Sequence, residues 1–310
     1  MGRGRSKKGL PINGILLLDK GTGQSSNFEL QRAKKFFNAR KAGHTGSLDP
    51  LASGLLPICF GEATKVSAYL LDGDKRYQVK VRLGVVTDSG DKEGTIIAEN
   101  PVQAFTEAEL SPILKLFEGE IYQVPPMYSA LKHNGERLYK LARQGLEVER
   151  KARKITIRQI ELLSFDESSI DLDVLCSKGT YIRTLAEDIG EKMGCGAHVE
   201  VLRRTGVNHF SVENGVTLAD LETEAEKGSE SLSELLLPID EAIITWPAVR
   251  LTDSQSALIK QGQSVEWPEE EITDSMRGAL IKLYSDSQDL IGLGEIDENG
   301  RLAPKRVFNL

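Results

Sequence analysis

Cysteine is scarce in this chain of 310 residues: Cys59, Cys176 and Cys195 are all there is. No two stand in a CxxC pair and three cannot all bond to one another, so a disulfide framework and a cysteine zinc ribbon are excluded and reduced, packed thiols are expected. Long apolar runs are missing as well, and none approaches the roughly 20 residues of a membrane helix. The GxxxxGK(S/T) loop is absent, and no GxGxxG joins a strand to a helix, so ATP and dinucleotides lack their usual cradle. There is no GxSxG elbow. The four histidines, His44, His133, His198 and His209, form no HxxxH pair. "HVE" at His198 matches half of a zinc-deaminase signature whose PCxxC half does not follow. Any reaction is therefore expected to be run by side chains, with no metal and no cofactor.

Net charge is −7, which taken evenly argues against a nucleic-acid partner. The charge is not even. Residues 132–158 carry nine basic against three acidic side chains, whereas residues 213–241 carry one against nine. Such runs serve equally as solvated surface or as a phosphate-binding face. The N-terminal "MGRGRSKKG" is basic but leads to the short "GILLLD", not to a signal core, so a cytoplasmic location is expected.

Along the chain, "GILLLD" reads as a buried strand and "SNFELQRAKKFFNAR" as a helix opened by a Ser26–Glu29 capping box. "KRYQVKVRLGV" alternates, with Tyr77, Val79, Val81 and Leu83 on one face. A second capping box, Thr106 and Glu109, opens "TEAELSPILKLFEG". Residues 124–153, with a proline pair, an Asn134-Gly135 turn and a short basic helix, read as an arm. Two strands, the helix "TYIRTLAEDIGEKMG" and the strand "AHVEVLRRTGV" follow. This succession predicts an α+β fold: a mixed, largely antiparallel sheet flanked by helices. A boundary near Trp246 separates a flexible tail (1–9) and a main domain (10–245) from a small β-rich module (246–310). A monomer is expected.

The segment "GHTGSLDPLASGLLPICFGEATK" poses a choice. Asp49 before Pro50 is a favoured helix start, with aspartate at the N-cap. Ser53 and Gly54 weaken such a helix, and Pro50 holds Asp49 extended. On its own, the stretch leaves Asp49 as either a cap or a nucleophile, His44 as a structural histidine and Tyr77 as a core aromatic.

That segment resembles the catalytic motif of the TruB family of tRNA pseudouridine synthases. "GILLLDKGTGQSS", "KRYQVKVRLG", "CSKGTYIRTLAEDIG" and "GCGAHVEVLRRTGVNHF" resemble further motifs of the family, in its order. The likeness runs from about Gly9 to the C-terminus, whose module resembles a PUA-type RNA-binding domain. Ser47 and Ser53 depart from the pattern only at small, variable positions. The resemblance implies cofactor-free isomerisation of uridine-55 in the T-loop of tRNA. Asp49 would be the nucleophile and Arg183 its ion-pair partner. Tyr77 would stack on the extruded uracil and assist loss of the C5 proton, with Tyr181 and Leu202 lining the pocket. His44 would take the vacated place in the loop, Lys20 would build the site floor or meet phosphate, and the basic arm would clamp RNA. Two alternatives stay open: a non-catalytic RNA-binding protein, and a synthase acting on another RNA with a guide.

Overall fold

The computed structural model describes residues 9–310, so the expected basic tail lies outside the described residues except for Gly9. Nine strands form the main sheet: β1 (Gly14–Lys20), β2 (Ala42–His44), β3 (Ser53–Phe60), β4 (Lys75–Leu83), β5 (Gly119–Gln123), β6 (Arg153–Phe165), β7 (Ser169–Cys176), β8 (Ala197–Val207) and β9 (Phe210–Ser211). Their order is β1-β3-β8-β4-β7-β6-β5, with β2 beside β3 and β9 beside β8. The β3–β8 contact is parallel and the remaining pairings are antiparallel.

Burial explains the two kinds of strand. Leu16 and Leu18 of β1 pack with Leu56 and Ile58 against helix α1 (Ser26–Phe36). Ile15 and Leu17 pack on the opposite face with Leu55 and Cys59. Covered on both sides, β1 needs no alternation. Strand β4 has one covered face: Val79, Val81 and Leu83 join the core beneath helices α2 (Glu107–Lys115) and α3 (Ile182–Lys192), while Arg76 and Gln78 are exposed.

A second sheet holds β10 (Ala248–Arg250), β11 (Val265–Glu266), β12 (Ile281–Tyr284), β13 (Leu290–Ile296) and β14 (Arg301–Val307), in the order β10-β12-β13-β14-β11. It has its own core around Leu251, Ile259 and Leu283. It is also fastened to the first sheet, because Leu290, Leu293 and Phe308 share a core with Ile15, Leu17 and Leu55. Lys65 Nζ donates to Val307 O at 2.7 Å, and Asn309 N donates to Glu62 at 2.9 Å.

The arm begins with a hairpin whose turn residues, Asn134 and Gly135, have φ of 49° and 88°, as a two-residue reversal requires. The Thr106–Glu109 box forms. The Ser26–Glu29 box does not. Ser25 caps α1, accepting from Phe28 N at 3.2 Å, and Glu29 is buried. Ser26, released from capping, turns inward: it accepts from Leu48 N at 2.7 Å and donates to Leu48 O at 3.0 Å. These buried backbone groups have to be satisfied, and the loop around Leu48 has no strand partner to do it.

The two serines are therefore expected to separate. Ser25→Ala costs about 0.5–2 kcal/mol as a lost cap. Ser26→Ala costs about 1–3 kcal/mol, because it strands both polar groups of Leu48. Urea denaturation measures both, and only Ser26→Ala is expected to disturb the adjacent Asp49 as well.

Candidate active site

The residues between β2 and β3 make a tight reversal. Gly46 has φ of +124°, Leu48 is buried, and Ala52 N donates to Asp49 O at 3.0 Å. A strand follows at Ser53, so Asp49 caps no helix. Gly54, at φ +103°, lies so close to β8 that a Cβ would stand 2.2 Å from Arg204 O. Only glycine fits.

Two buried cations hold the turn from below. Lys20, with no exposed surface, donates to Gly21 O at 2.8 Å and Ala52 O at 2.7 Å, and reaches Asp49 O and Pro50 O at 3.4 Å. Every one of these partners is a backbone carbonyl. Burial pushes its pKa down, opposed in part by the charges of Glu29 and Asp49. Arg204, 1% exposed, donates from Nε to Leu55 O at 2.7 Å and from Nη2 to Gly46 O at 3.1 Å.

Arg183 meets Asp49 from the side. It stands in the first turn of α3, a position that is usually surface, yet it is 5% exposed. Nη2 lies 3.0 Å from Asp49 Oδ2 and Nη1 lies 3.3 Å from Asp91 Oδ2. Nη1 also donates to Ser89 O at 2.9 Å, and Nη2 to Tyr128 O at 2.5 Å. Two acids and two carbonyls thus offset the cost of burying the cation. Asp91 is itself buried, whereas 44% of the Asp49 side chain remains open. Burial raises the Asp49 pKa; Arg183 opposes the rise, Asp91 adds to it and Lys20 opposes it. One helical turn along, burial lifts Glu187 to about 7.

The remaining expected site residues lie on β4, β2, β8 and at the start of α3. Tyr77, on β4, is the cross-strand partner of Arg204 and packs against the core that contains Leu48, Leu51, Ala52 and Leu202. Burial raises its phenol pKa, and the Arg204 charge opposes that rise. Tyr181 caps α3 and is clamped through its backbone by Gln123, whose Oε1 accepts from Tyr181 N at 2.8 Å and whose Nε2 donates to Tyr181 O at 3.1 Å. Tyr77 and Tyr181 both feel the Asp49 charge. His44 ends β2 at the far side of the turn. Among the described residues its buried Nδ1 has no hydrogen-bond partner, and burial together with Arg204 lowers its pKa, which keeps the ring neutral at pH 7.

Asp91 and Arg204 were not anticipated. Asp91 lies in a turn with no periodicity to mark it. Arg204 had a signal: in "LRR" on an alternating strand, one arginine must share the inward face of Leu202. Arg203 takes the other face and pairs with Asp19 at 2.7 Å.

Two solved structures share this architecture over 99% of the chain. One is a chain of a Cbf5–Nop10–Gar1 complex, with a TM-score of 0.74, 27% identity and 91% of that chain covered. The other belongs to an H/ACA RNP bound to a substrate RNA containing 2′-deoxyuridine, with a TM-score of 0.72, 24% identity and 92% covered. The fold is that of a pseudouridine synthase. Residues 34–182 match the N-terminal domain of TruB family pseudouridylate synthases, 183–244 a tRNA pseudouridylate synthase B C-terminal domain, and 247–308 a pseudouridine synthase II TruB C-terminal domain. Proteins named tRNA pseudouridine synthase B from Nitrosococcus oceani and Coxiella burnetii are each 51% identical, covering 99% and 96% of this chain and 98% and 95% of theirs. One from a Shewanella species is 49% identical, covering 98% of this chain and 96% of its own. The chain belongs to the TruB family of pseudouridine synthases.

Because burial raises the Asp49 pKa, its ionised form disappears at a higher pH than that of a free aspartate. Arg183→Met removes the opposing cation and moves the titration higher still, by about 1–3 units. Carbon-13 NMR of labelled aspartate measures both midpoints. An unchanged Asp49 midpoint in the variant would show that the ion pair carries no electrostatic weight.

Proposed function

We propose that this protein isomerises uridine-55 in the T-loop of tRNA to pseudouridine, with Asp49 as nucleophile and no cofactor. The assignment rests above all on the half-open Asp49 carboxylate held 3.0 Å from a buried guanidinium and flanked by two tyrosines. Isomerisation breaks the N-glycosidic bond, turns the uracil and rejoins it through C5. It is redox-neutral and adds no group, so side chains suffice. A carboxylate can form a covalent bond to the substrate and leave again, dividing one hard step into easier ones. Arg183 favours the ionised form that such attack requires.

A uridine stacked in an RNA loop must first be swung out, at a cost of a few kcal/mol. His44, neutral and with its buried Nδ1 unpartnered among the described residues, suits the vacated place among the bases. Tyr77 stacks on the detached uracil, which supplies about 1–3 kcal/mol, and its oxygen takes the C5 proton. Tyr181 and Leu202 close the pocket. The basic arm and the C-terminal sheet, read as a PUA-like module, hold the RNA on either side. Lys132, Arg137, Lys140 and Arg143 are all exposed for that purpose.

Guide-dependent action on another RNA fits less well. The relatives at about 50% identity are named as tRNA enzymes, and the RNP component is only 24% identical. Non-catalytic RNA binding leaves the Asp49–Arg183–Asp91 arrangement, with its buried guanidinium, without a use.

Asp49→Asn is expected to abolish pseudouridine formation on an unmodified tRNA transcript while leaving tRNA binding within a few-fold. Chemical labelling maps the product. A label outside the T-loop would change the substrate, and activity in the variant would remove Asp49 from the chemistry. Neutralising Lys132 and Arg137 together is expected to weaken binding and to flatten its salt dependence by about 1–2 units of log–log slope.

A further inference from the structure

Glu29, in the first turn of α1, is 5% exposed, and among the described residues its carboxyl has no hydrogen-bond partner. Burying a carboxyl without a partner is costly, and native structures rarely leave one so. This one lines a cavity of about 350 Å³. Asp19, Lys20, Ser53, Arg203 and the start of helix α4 (Leu218–Lys227) form the remaining walls.

The cavity has a rim and an interior of different chemistry. At the rim, the capping box of α4 occupies two amides: Thr217 N donates to Asp220 Oδ2 at 2.8 Å, and Asp220 N to Thr217 Oγ1 at 3.2 Å. The N–H groups of Leu218 and Ala219 are left without partners among the described residues, at the positive end of the helix. Arg203 stands on the same rim. Nη1 and Nη2 each give one bond to Asp19, at 3.0 and 2.7 Å, and the fork keeps further donors. The rim therefore suits an anion with several acceptor oxygens. Inside, Lys20 directs its ammonium to backbone carbonyls, which leaves Glu29 as the group to be satisfied. Burial raises the Glu29 pKa, and Lys20 and Arg32 oppose the rise. A hydroxyl suits that carboxyl in either state, donating to the anion or accepting from the acid. Lys20 and Arg203 disfavour a metal cation.

The cavity adjoins the Asp49 reversal. Ser53 follows that reversal directly, and Lys20 Nζ reaches Asp49 O at 3.4 Å and Ala52 O at 2.7 Å. Gly23 N donates to Pro50 O at 2.7 Å. Gly21, at the mouth, is exposed and has open space where a Cβ would stand, so a bulky backbone can approach.

We propose that this cavity is a second RNA site, which takes one ribose–phosphate unit of the tRNA strand flanking the uridine: the phosphate at the Leu218 and Ala219 amides and Arg203, the ribose 2′-hydroxyl at Glu29. This rests on the function proposed above. A strand that delivers one nucleotide to Asp49 continues past it on both sides, so the occupant belongs to a substrate already held. A deoxyribose unit would leave Glu29 unsatisfied, so the same contact selects RNA over DNA.

Ala219→Glu is the deciding variant. Ala219 is exposed and an acid in the first turn of a helix is stabilising, so the fold is retained while the new carboxylate repels the phosphate. Equilibrium binding of the full-length protein to an unmodified tRNA transcript is expected to weaken about tenfold, with a log–log salt slope flatter by about 1. Single methylphosphonates are then scanned through a T-arm oligonucleotide. One position is expected to weaken wild-type binding and to have no effect in Ala219→Glu. A 2′-deoxy substitution at that nucleotide or its neighbour is expected to weaken wild-type binding about fivefold and to cost nothing further in Glu29→Met. Wild-type affinity in Ala219→Glu overturns the proposal, as does a scan in which every methylphosphonate effect persists in that variant. Deoxy sensitivity that survives Glu29→Met overturns it too. Should the methionine chain not fold, the Ala219→Glu scan decides alone. Wild-type turnover on the same transcript separates the two questions. A transcript that is bound but left unmodified refutes the function, whereas an active wild type with normal binding by Ala219→Glu refutes only the second site.

Discussion

The Arg183 guanidinium is the group on which the centre of this molecule depends. It joins four segments that are far apart in sequence: the reversal carrying Asp49, the turn carrying Ser89 and Asp91, the chain at Tyr128 where the arm departs, and α3 itself. Remove it, and two carboxylates face each other across a poorly hydrated space. Remove either acid, and a buried cation loses half its charge compensation. Each partner makes the others tolerable, so the segments are held in one arrangement. Asp49 gains direction as well as charge, because a carboxylate that shares a fork with Asp91 cannot swing freely.

The reversal is stiffened by a second device. Lys20 and Arg204 direct their charges at backbone carbonyls, and Ser26 satisfies both polar groups of Leu48. A loop without strand partners would normally be mobile, since its amides and carbonyls could exchange with water. Here those groups are occupied by side chains from β1, α1 and β8.

Legibility in the sequence followed the physics of each element. Strand β4 was readable because one covered face imposes alternation, and the Asn134-Gly135 turn because two positive φ values demand those residues. Strand β3 was harder: seven of its eight residues are buried, and an apolar run covered on both faces has no period. The Ser26–Glu29 box misled because Ser25 could cap equally well and the loop at Leu48 competed for Ser26. At the site, Asp49 was ambiguous from local chemistry alone and acquired a role only through resemblance. Arg183 shows why. Its helical position reads as surface, and what buries it, Asp91, Ser89 and Tyr128, comes from segments about 55 to 94 residues away. Local patterns carry no information about such contacts.

The C-terminal sheet bears on the same centre through its attachment. Its last strand is fastened to residues 61–65, which follow β3 directly, by Lys65 and Glu62, and its apolar side chains share a core with β1 and β3. The strand that leaves the Asp49 reversal is thus the one to which the second sheet is anchored. In the function proposed above, swinging a nucleotide out of a folded loop costs a few kcal/mol, and that energy has to come from contacts elsewhere on the RNA. Contacts made by a loosely tethered module would be diluted by its motion. Contacts made by a module packed into the core beneath the Asp49 reversal act on a fixed distance, so under the proposed function binding energy gained far from the uridine can be applied at the uridine.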